Sequence, residues 1–386
     1  MLRTKKIKIV ISEQGKASLE FMQSKCRGLY NWWIGKLKNG EPWRLFGAKR
    51  TLQASKAYDT ELKDVYGKLL AAVYFRIDKA MQAFFARVKA GKKGFPRFKA
   101  RHDFFTLLYP AMYIKVVGRQ IILPTGGRGR NKSLPNVAAR LTEAPPENFR
   151  EVAVKRDARG NYYCCFGYEV SPTAPAKTGL LAIDLGIKTL ACCVNDRRRF
   201  YHVGGFKGYQ WFNRQLDNLR SRRDRCQKKS RRYLRLSQIY QRISEQKRNK
   251  LKDSLHKASH LIAHKLAESA VVIGDLSQRQ MVEQSDNKYK NRTVFNEWGL
   301  YSFVQMLSYK LVTLGKQLFA ISERDTSKTC HQCQHKQDMP LWQRTYRCPQ
   351  CGLVMDRDEN SALNILERFL ARPGPYTLVS TCGVSG

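Results

Sequence analysis

VVIGDLS, residues 271–277, is a short apolar run that breaks at a glycine, and LFAISE, residues 318–323, is a second one that ends in an acid. Their length and their β-branched and aromatic content mark both as buried strands. Between them, residues 298–316 carry apolar positions at helical spacing. Strand, helix and strand in succession imply a right-handed crossover with the two strands parallel in one sheet. The sequence therefore reads as α/β. Parallel neighbours end at the same sheet edge about 4.8 Å apart, which brings Gly274 and Glu323 together.

Three further strands open the same domain: LLAIDLG (180–186), LACCVND (190–196) and RFYHVGG (199–205). Asp184 ends the first of them, and Gly186 leaves room for close approach to the backbone. MDRDENSALNIL (355–366) puts Asp356 and Asp358 where a helix begins, a position where aspartate caps N–H groups or points back at the sheet. Earlier in the chain, residues 5–12 suggest a strand, 15–90 a helical insertion, and 112–170 a β-rich stretch with a hairpin turn at Asp157–Asn161. TAPAKTG (173–179) reads as a linker.

Lys and Arg outnumber Asp and Glu by 71 to 31 in 386 residues, a formal charge of +40. Such an excess calls for a polyanion, because each neutralised phosphate releases counterions. Residues 207–252 alone hold 16 Lys or Arg against 3 Asp or Glu, with Leu236, Ile239, Tyr240 and Ile243 at helical spacing, and read as a basic helical hairpin. GKKGFPRFKARHDFF (91–105) interleaves cations with aromatics, as a surface that holds phosphate and stacks on bases does. The candidate phosphate contacts are Arg27, Arg97, Lys99, Lys228, Lys229, Arg231 and Arg232. No stretch approaches the roughly 20 apolar residues of a membrane span, and the alternating start MLRTKKIKIVISE reads as a strand, not a signal peptide. The expected setting is cytoplasmic, on the nucleoid, in a prokaryote, or the nucleus in a eukaryote; RSRRDRCQKKSRR (220–232) resembles a nuclear localisation signal.

Eleven cysteines are present, four of them as CHQC and CPQC. Cys330, Cys333, Cys348 and Cys351, with 14 residues between the two pairs, have the spacing of two knuckles sharing one Zn2+, a closed structural site. Cys164, Cys165, Cys192 and Cys193 lie in strand-like runs and read as core. His256, His260 and His264 recur every four residues, a spacing open to metal, but without an acid on that face they read as phosphate contacts or packing.

Taken together, LAIDLGIKTLA, Trp298 with Gly299, Tyr309 with Lys310, TSKTCHQC, CPQCG and DRDENSALNI resemble the nuclease domain of TnpB proteins, transposon-encoded RNA-guided nucleases ancestral to type V CRISPR effectors. CRGLYNWWIGKL and GKKGFPRFK resemble that family's N-terminal lobe. The resemblance implies an RNase H-like RuvC domain with an inserted zinc ribbon, plus an N-terminal β-barrel wedge domain carrying a helical insertion. In this chain the pieces would be a wedge strand (1–14), a helical recognition insertion (15–100), the wedge barrel (101–172), the linker, a RuvC domain (180–325) with its basic hairpin (about 207–258), the ribbon (326–354), a RuvC helix (355–370) and a disordered tail (371–386). It also implies a guide RNA from the transposon end, double-stranded target DNA cut beside a short protein-read motif, two Mg2+ ions, and a monomer in the RNA complex.

Asp184 matches the family's first catalytic Asp and Asp358 its last, while the middle acid aligns with Gly274. Three readings follow. Asp275 substitutes, although one step along a strand turns it to the other face. The site is dead, leaving an RNA-guided DNA-binding repressor. Or the acid has moved to Glu323, as in the rearranged sites of the Fanzor relatives. The third makes Asp184, Glu323 and Asp358 the metal-binding catalytic set of an RNA-guided DNA endonuclease. A cut-and-paste transposase also uses three acids, but a ribbon between the last two fits TnpB better.

Overall fold

The computed structural model describes residues 2–126, 134–157, 159–173, 178–186, 189–275, 291–292, 294, 299–340, 342–371 and 377–378. It divides into two compact units, residues 1–170 and 171–386. Trp298, Ile187 and Lys188 of the sequence motifs, most of the 173–179 linker and nearly all of the tail fall outside the described residues.

In the first unit, strands β1 (Leu2–Ile11), β2 (Leu107–Pro110), β3 (Lys115–Val117), β4 (Gln120–Leu123), β5 (Val137–Leu141), β6 (Phe149–Arg156) and β7 (Tyr162–Glu169) form one antiparallel sheet in the order β2-β6-β7-β1-β5-β4-β3. The barrel expected from the resemblance is represented by this sheet alone: β2 and β3 stand at its edges, and no strand pairing among the described residues joins them. The β6–β7 turn is closed by Asp157, whose Oδ1 accepts the N–H groups of Arg159 and Asn161 at 2.9 and 2.8 Å. Helices α1 (Glu13–Lys38) and α2 (Gly67–Lys89) pack on the sheet, α1 capped by Ser12 and burying Leu19, Met22, Cys26, Tyr30 and Trp33. Cys164 is in this core and Cys165 is buried beside it.

The second unit is a mixed sheet. Strands β8 (Leu180–Leu185), β9 (Ala191–Asn195) and β10 (Phe200–Val203) form an antiparallel meander. Helices α3 (Tyr209–Asp224) and α4 (Arg231–Leu261) follow as the basic hairpin, ending in a π-helical turn at Ile262–Leu266. Then β11 (Ala270–Gly274), α5 (Leu300–Thr313) and β12 (Gln317–Ile321) bring β11 parallel to both β8 and β12, as the crossover requires. The ribbon strands β13 (Thr345–Arg347) and β14 (Val354–Asp356) lead directly into α6 (Arg357–Ala371), and β15 (Thr377–Leu378) adds an antiparallel edge to β12. One sheet face packs against α4 and α5, with Val271, Ile273, Phe303 and Leu307 in its core. The other packs on α6 through Ala182, Cys192, Val272, Leu363 and Leu366. No described helix is long and apolar enough to cross a membrane.

A close backbone approach fastens the first unit's helical region to its sheet. Gly126 donates its N–H to Asp64 O at 2.8 Å, and a Cβ at residue 126 would overlap the Asp64 carbonyl group. Backbone cannot yield as a side-chain tip does, so Gly126→Ala should destabilise the chain by about 2–3 kcal/mol in thermal or urea unfolding.

Candidate functional site

At the carboxyl edge of the parallel strands, Gly274 pairs with Ile321, the last residue of β12, and the Asp275 N–H donates to Ile321 O at 2.7 Å. Glu323 therefore lies two residues beyond the ladder, in a turn, and not directly across from Gly274 as strand spacing alone predicts. The turn is closed by Thr326, whose N–H and Oγ1 both donate to Glu323 O at 3.1 and 2.9 Å. From there the Glu323 side chain folds back over Gly274. A Cβ at residue 274 would sit 2.8 Å from Glu323 Cβ and would overlap its Oε2. Any L side chain at 274 competes with Glu323 for the same volume.

Asp184, one residue before the end of β8, has Cys192 as its cross-strand partner on the face covered by α6. Burial pushes its carboxyl well above the usual range, and the negative charges of Asp358 and Glu323 push the same way, against a hydrogen bond from Ser361. Burial, followed by the Asp275 charge, raises Glu323 to about 7. At the start of α6 two neighbouring acids divide two tasks. Asp356 Oδ1 caps the helix, accepting the N–H groups of Asp358 and Glu359 at 2.8 and 3.3 Å. Asp358 is thereby left to face Asp184, with Arg344 Nη1 at 3.3 Å as its cation. The structure thus brings Asp184, Glu323 and Asp358 to one edge, with exposed Asp275 at the margin beside Glu323. Several carboxylates gathered at one edge suit hard divalent cations, which prefer oxygen donors and relieve the repulsion between like charges.

The four ribbon cysteines form a second, separate cluster. Cys330 Sγ lies 3.6 Å from Cys351 Sγ, Cys333 Sγ lies 3.5 Å from Cys348 Sγ, and all four fall within 4.8 Å of one another. A tetrahedron of sulfurs around Zn2+ at about 2.3 Å has edges of about 3.8 Å, so the thiols fit the ion. Among the described residues no other group of three or more metal-binding side chains is gathered so closely. Each knuckle reverses through a left-handed residue, Gln334 at φ 61° and Gly352 at φ 72°. Burial opposes charge on Cys348, but the N–H groups of Cys351 and Gln350, together with the Cys333 and Cys351 thiols, outweigh it and bring the thiol down to about 6. His331 faces Glu367 at 3.7 Å and lies outside the thiol cluster, as does His335.

Of the candidate phosphate contacts, Arg97, Lys99, Lys228, Lys229, Arg231 and Arg232 are exposed. Arg27 is not. It is buried, and its guanidinium donates to Arg101 O, Asp103 O, Gln23 Oε1 and Ser24 Oγ at 3.0–3.3 Å, so it braces the 101–103 loop. Asn31 holds Lys99 by both backbone groups, at 2.9 and 2.7 Å, and so presents Arg97 and Phe98 outward. Lys38 lies 4.4 Å from the exposed Phe98 ring and Lys36 lies 4.5 Å from the exposed Trp32, two cation–aromatic pairs. His260 and His264 stack at 4.0 Å, and His256 Nδ1 is 3.5 Å from the Tyr309 hydroxyl, a packing arrangement.

Sequence reasoning passed over Asn360, Ser361 and Asn364, three polar residues buried on α6, and the His202–Glu359 pair at 2.9 Å beside Asp358. The signal for the first group was present: two asparagines four apart stack on one face of the helix, away from the Leu363 and Leu366 side that packs in the core.

The family described as "Probable transposase" matches residues 163–285, and the Cas12f1-like TNB domain family matches residues 301–365. A TnpB-like protein of Acanthamoeba polyphaga mimivirus is 30% identical over 121 residues, 31% of this chain and 23% of its own length. A TnpB-like protein of Methanocaldococcus jannaschii is 29% identical over 156 residues, 39% of this chain and 55% of its own. Over these stretches the chain is similar to TnpB proteins. A further relative, from Mycobacterium tuberculosis and named "Putative RNA-guided DNA endonuclease", is 26% identical over 196 residues, 48% of this chain and 40% of its own. The matches thus span roughly a quarter to a half of these relatives' lengths. Among solved structures, one titled as a Cas12f1–sgRNA–target DNA complex shares the fold with a TM-score of 0.64 at 14% identity, covering 92% of this chain and 83% of the other.

Two outcomes follow from the packing of Glu323. Gly274→Ala should displace its carboxylate and weaken binding of Mn2+, used as a spectroscopic probe for Mg2+, by about tenfold or more, measured from the paramagnetic signal of the free ion. The second concerns pH. Folded Glu323 keeps its proton up to about 7, against an ordinary value of 4.5, so the folded chain binds the extra proton between those limits. Stability without added divalent metal should therefore fall as pH rises from 4.5 through 7, by about 3 kcal/mol from this group. Glu323→Gln should flatten that part of the profile in urea titrations.

Proposed function

We propose that the chain is a transposon-borne, RNA-guided DNA endonuclease whose divalent-metal site is built from Asp184, Glu323 and Asp358. The observation that carries this reading is the Glu323 side chain lying over Gly274 while its charge acts on Asp184. The lost acid position and the new acid are two halves of one arrangement. A nuclease-dead repressor has no need to keep Glu323 folded inward against Asp184 and Asp358, since bringing like charges together costs stability. The Cas12f1 likeness and the meander followed by parallel strands support an RNase H-like RuvC core, and the relatives' names support a guided nuclease.

Asp184, Glu323 and Asp358 would hold the Mg2+ ions, whose charge would stabilise the attacking and leaving oxygens in phosphodiester hydrolysis. The chain's own contribution is to hold three carboxylates in register and to keep Arg344 beside Asp358, where it offsets that acid's charge. In this reading the hairpin residues Lys228, Lys229, Arg231 and Arg232, with Arg97 and Lys99, meet guide and heteroduplex phosphates, while base pairing reads the target. The first unit acts as wedge and recognition lobe beside the target-adjacent motif. The four thiols would hold a structural Zn2+, and with every position filled by sulfur it would take no part in hydrolysis.

The test uses the purified complex with the RNA that it carries, a plasmid matching that RNA, and Mg2+. Wild type should yield linear DNA. Glu323→Ala should lower cleavage by more than about a hundredfold, since even residues behind metal ligands cost ten- to a hundredfold, with RNA and DNA binding retained in gel shifts. Binding without linear product in the wild type would instead assign the repressor reading, and unchanged cleavage in Glu323→Ala would remove Glu323 from the site.

A further inference from the structure

Glu323 poses a mechanical problem. It stands past the end of β12, so no sheet ladder fixes it, and the acids around it repel it. Its backbone must be held from elsewhere. The contacts that do so come from α6, the helix that begins with Asp358.

Asn364 Nδ2 donates to Thr326 O and Thr329 O at 2.8 and 2.7 Å. Asn360 Nδ2 donates to Thr329 O at 2.7 Å, while its Oδ1 accepts the His331 N–H at 3.0 Å. Ser361 Oγ meets Thr326 Oγ1 at 3.1 Å, and the same threonine closes the turn on Glu323 O. One turn further along, Arg368 Nη1 donates to Ser322 O and Arg324 O at 2.8 and 3.0 Å, the residues on either side of Glu323.

The chemistry of these bonds is specific to carboxamides. Asn360 presents a donor and an acceptor side by side, as the backbone of a neighbouring strand does, and Asn364 uses one NH2 group for two carbonyls. Aspartate offers no donor for either task. Asn360 is 0%, Ser361 2% and Asn364 5% exposed. An apolar residue would be the default on a buried helix face, because a buried amide is tolerated only when bonded. Their partners all lie between Thr326 and His331, apart from the bond of Ser361 to Asp184, so the polarity of this face is directed at the segment that follows Glu323.

We propose that Asn360 and Asn364 are positioning residues for Glu323: their bonds to residues 326–331 lock the turn that aims its carboxylate at Asp184 and Asp358. The proposal rests on the reading of these three acids as a divalent-metal site. One rigid helix then sets both Asp358, by its first turn, and Glu323, by its middle. The two acids keep their relation even though the whole ribbon lies between them in sequence.

The test is a double-mutant cycle on the full chain with its copurified RNA. Asn364→Leu removes the amide at similar volume, and Thr326→Val removes the hydroxyl that closes the turn. Each is made alone and with Glu323→Ala, and Mn2+ affinity is read from the free-ion paramagnetic signal, with zinc content and Tm measured alongside. Each single substitution should weaken Mn2+ about ten- to a hundredfold, with zinc retained, and should add nothing once Glu323 is alanine. Equal weakening in both backgrounds would make the residues general structural supports and overturn the proposal. So would unchanged affinity in the singles while Glu323→Ala still weakens binding, and either result would leave the metal-site reading standing. If Glu323→Ala itself leaves Mn2+ binding intact, both fall. Should Asn364→Leu not fold, Thr326→Val decides by the same criteria.

Discussion

Carboxylates gathered at one sheet edge repel one another, and much of the second unit is arranged around containing that repulsion. Two unit charges 4 Å apart near a protein surface oppose each other by about 4 kcal/mol. Asp184 is held by a central strand with neighbours on both sides. Asp358 is held by a helix whose cap has been taken over by Asp356. Glu323 has neither support and depends on a turn bonded to that helix. Part of the repulsion is offset by Arg344, while burial first and neighbouring charge second hold Asp184 and Glu323 above the ordinary range.

The ribbon adds a second constraint, since it separates Glu323 from Asp358 in sequence while the site needs them adjacent. Its own apolar core is small: Cys330, Met339, Tyr346 and Cys348, with Cys333, Leu353 and Met355 against them. A segment of this kind gains most of its folding energy from a bound ion. The thiol cluster and the asparagine bonds meet at Thr329–His331, so one short stretch serves both the ribbon's metal and the turn behind Glu323.

What could be read from the sequence was chemistry encoded by local spacing. The paired CxxC knuckles announce four sulfurs around one ion because the knuckle is a property of four consecutive residues. The parallel relation of β11 and β12 was legible because a crossover leaves the chain little choice. The distance of Glu323 beyond its strand was not, since strand ends depend on which N–H and C=O groups find partners. Arg27 shows the limit of composition: the first unit spends one of its many cations internally, and only tertiary contacts tell which one. Asn360 and Asn364 were visible as a polar pair four residues apart, but their partners lie some 30 to 40 residues away in sequence, beyond any periodicity argument.

The space above residue 274 also bears on how such a site can change. A volume that holds one carboxylate cannot hold a second, so an acid at 274 and an inward Glu323 are mutually exclusive occupants of one seat. A chain passing from one arrangement to the other cannot go through an intermediate with both acids in place. It must cross a form in which the seat is empty or the newcomer is turned outward. In any set of such chains, the size of the residue at this strand end and the acidity two residues past the neighbouring strand should vary as a pair, making the glycine a marker by which a chain's arrangement can be read.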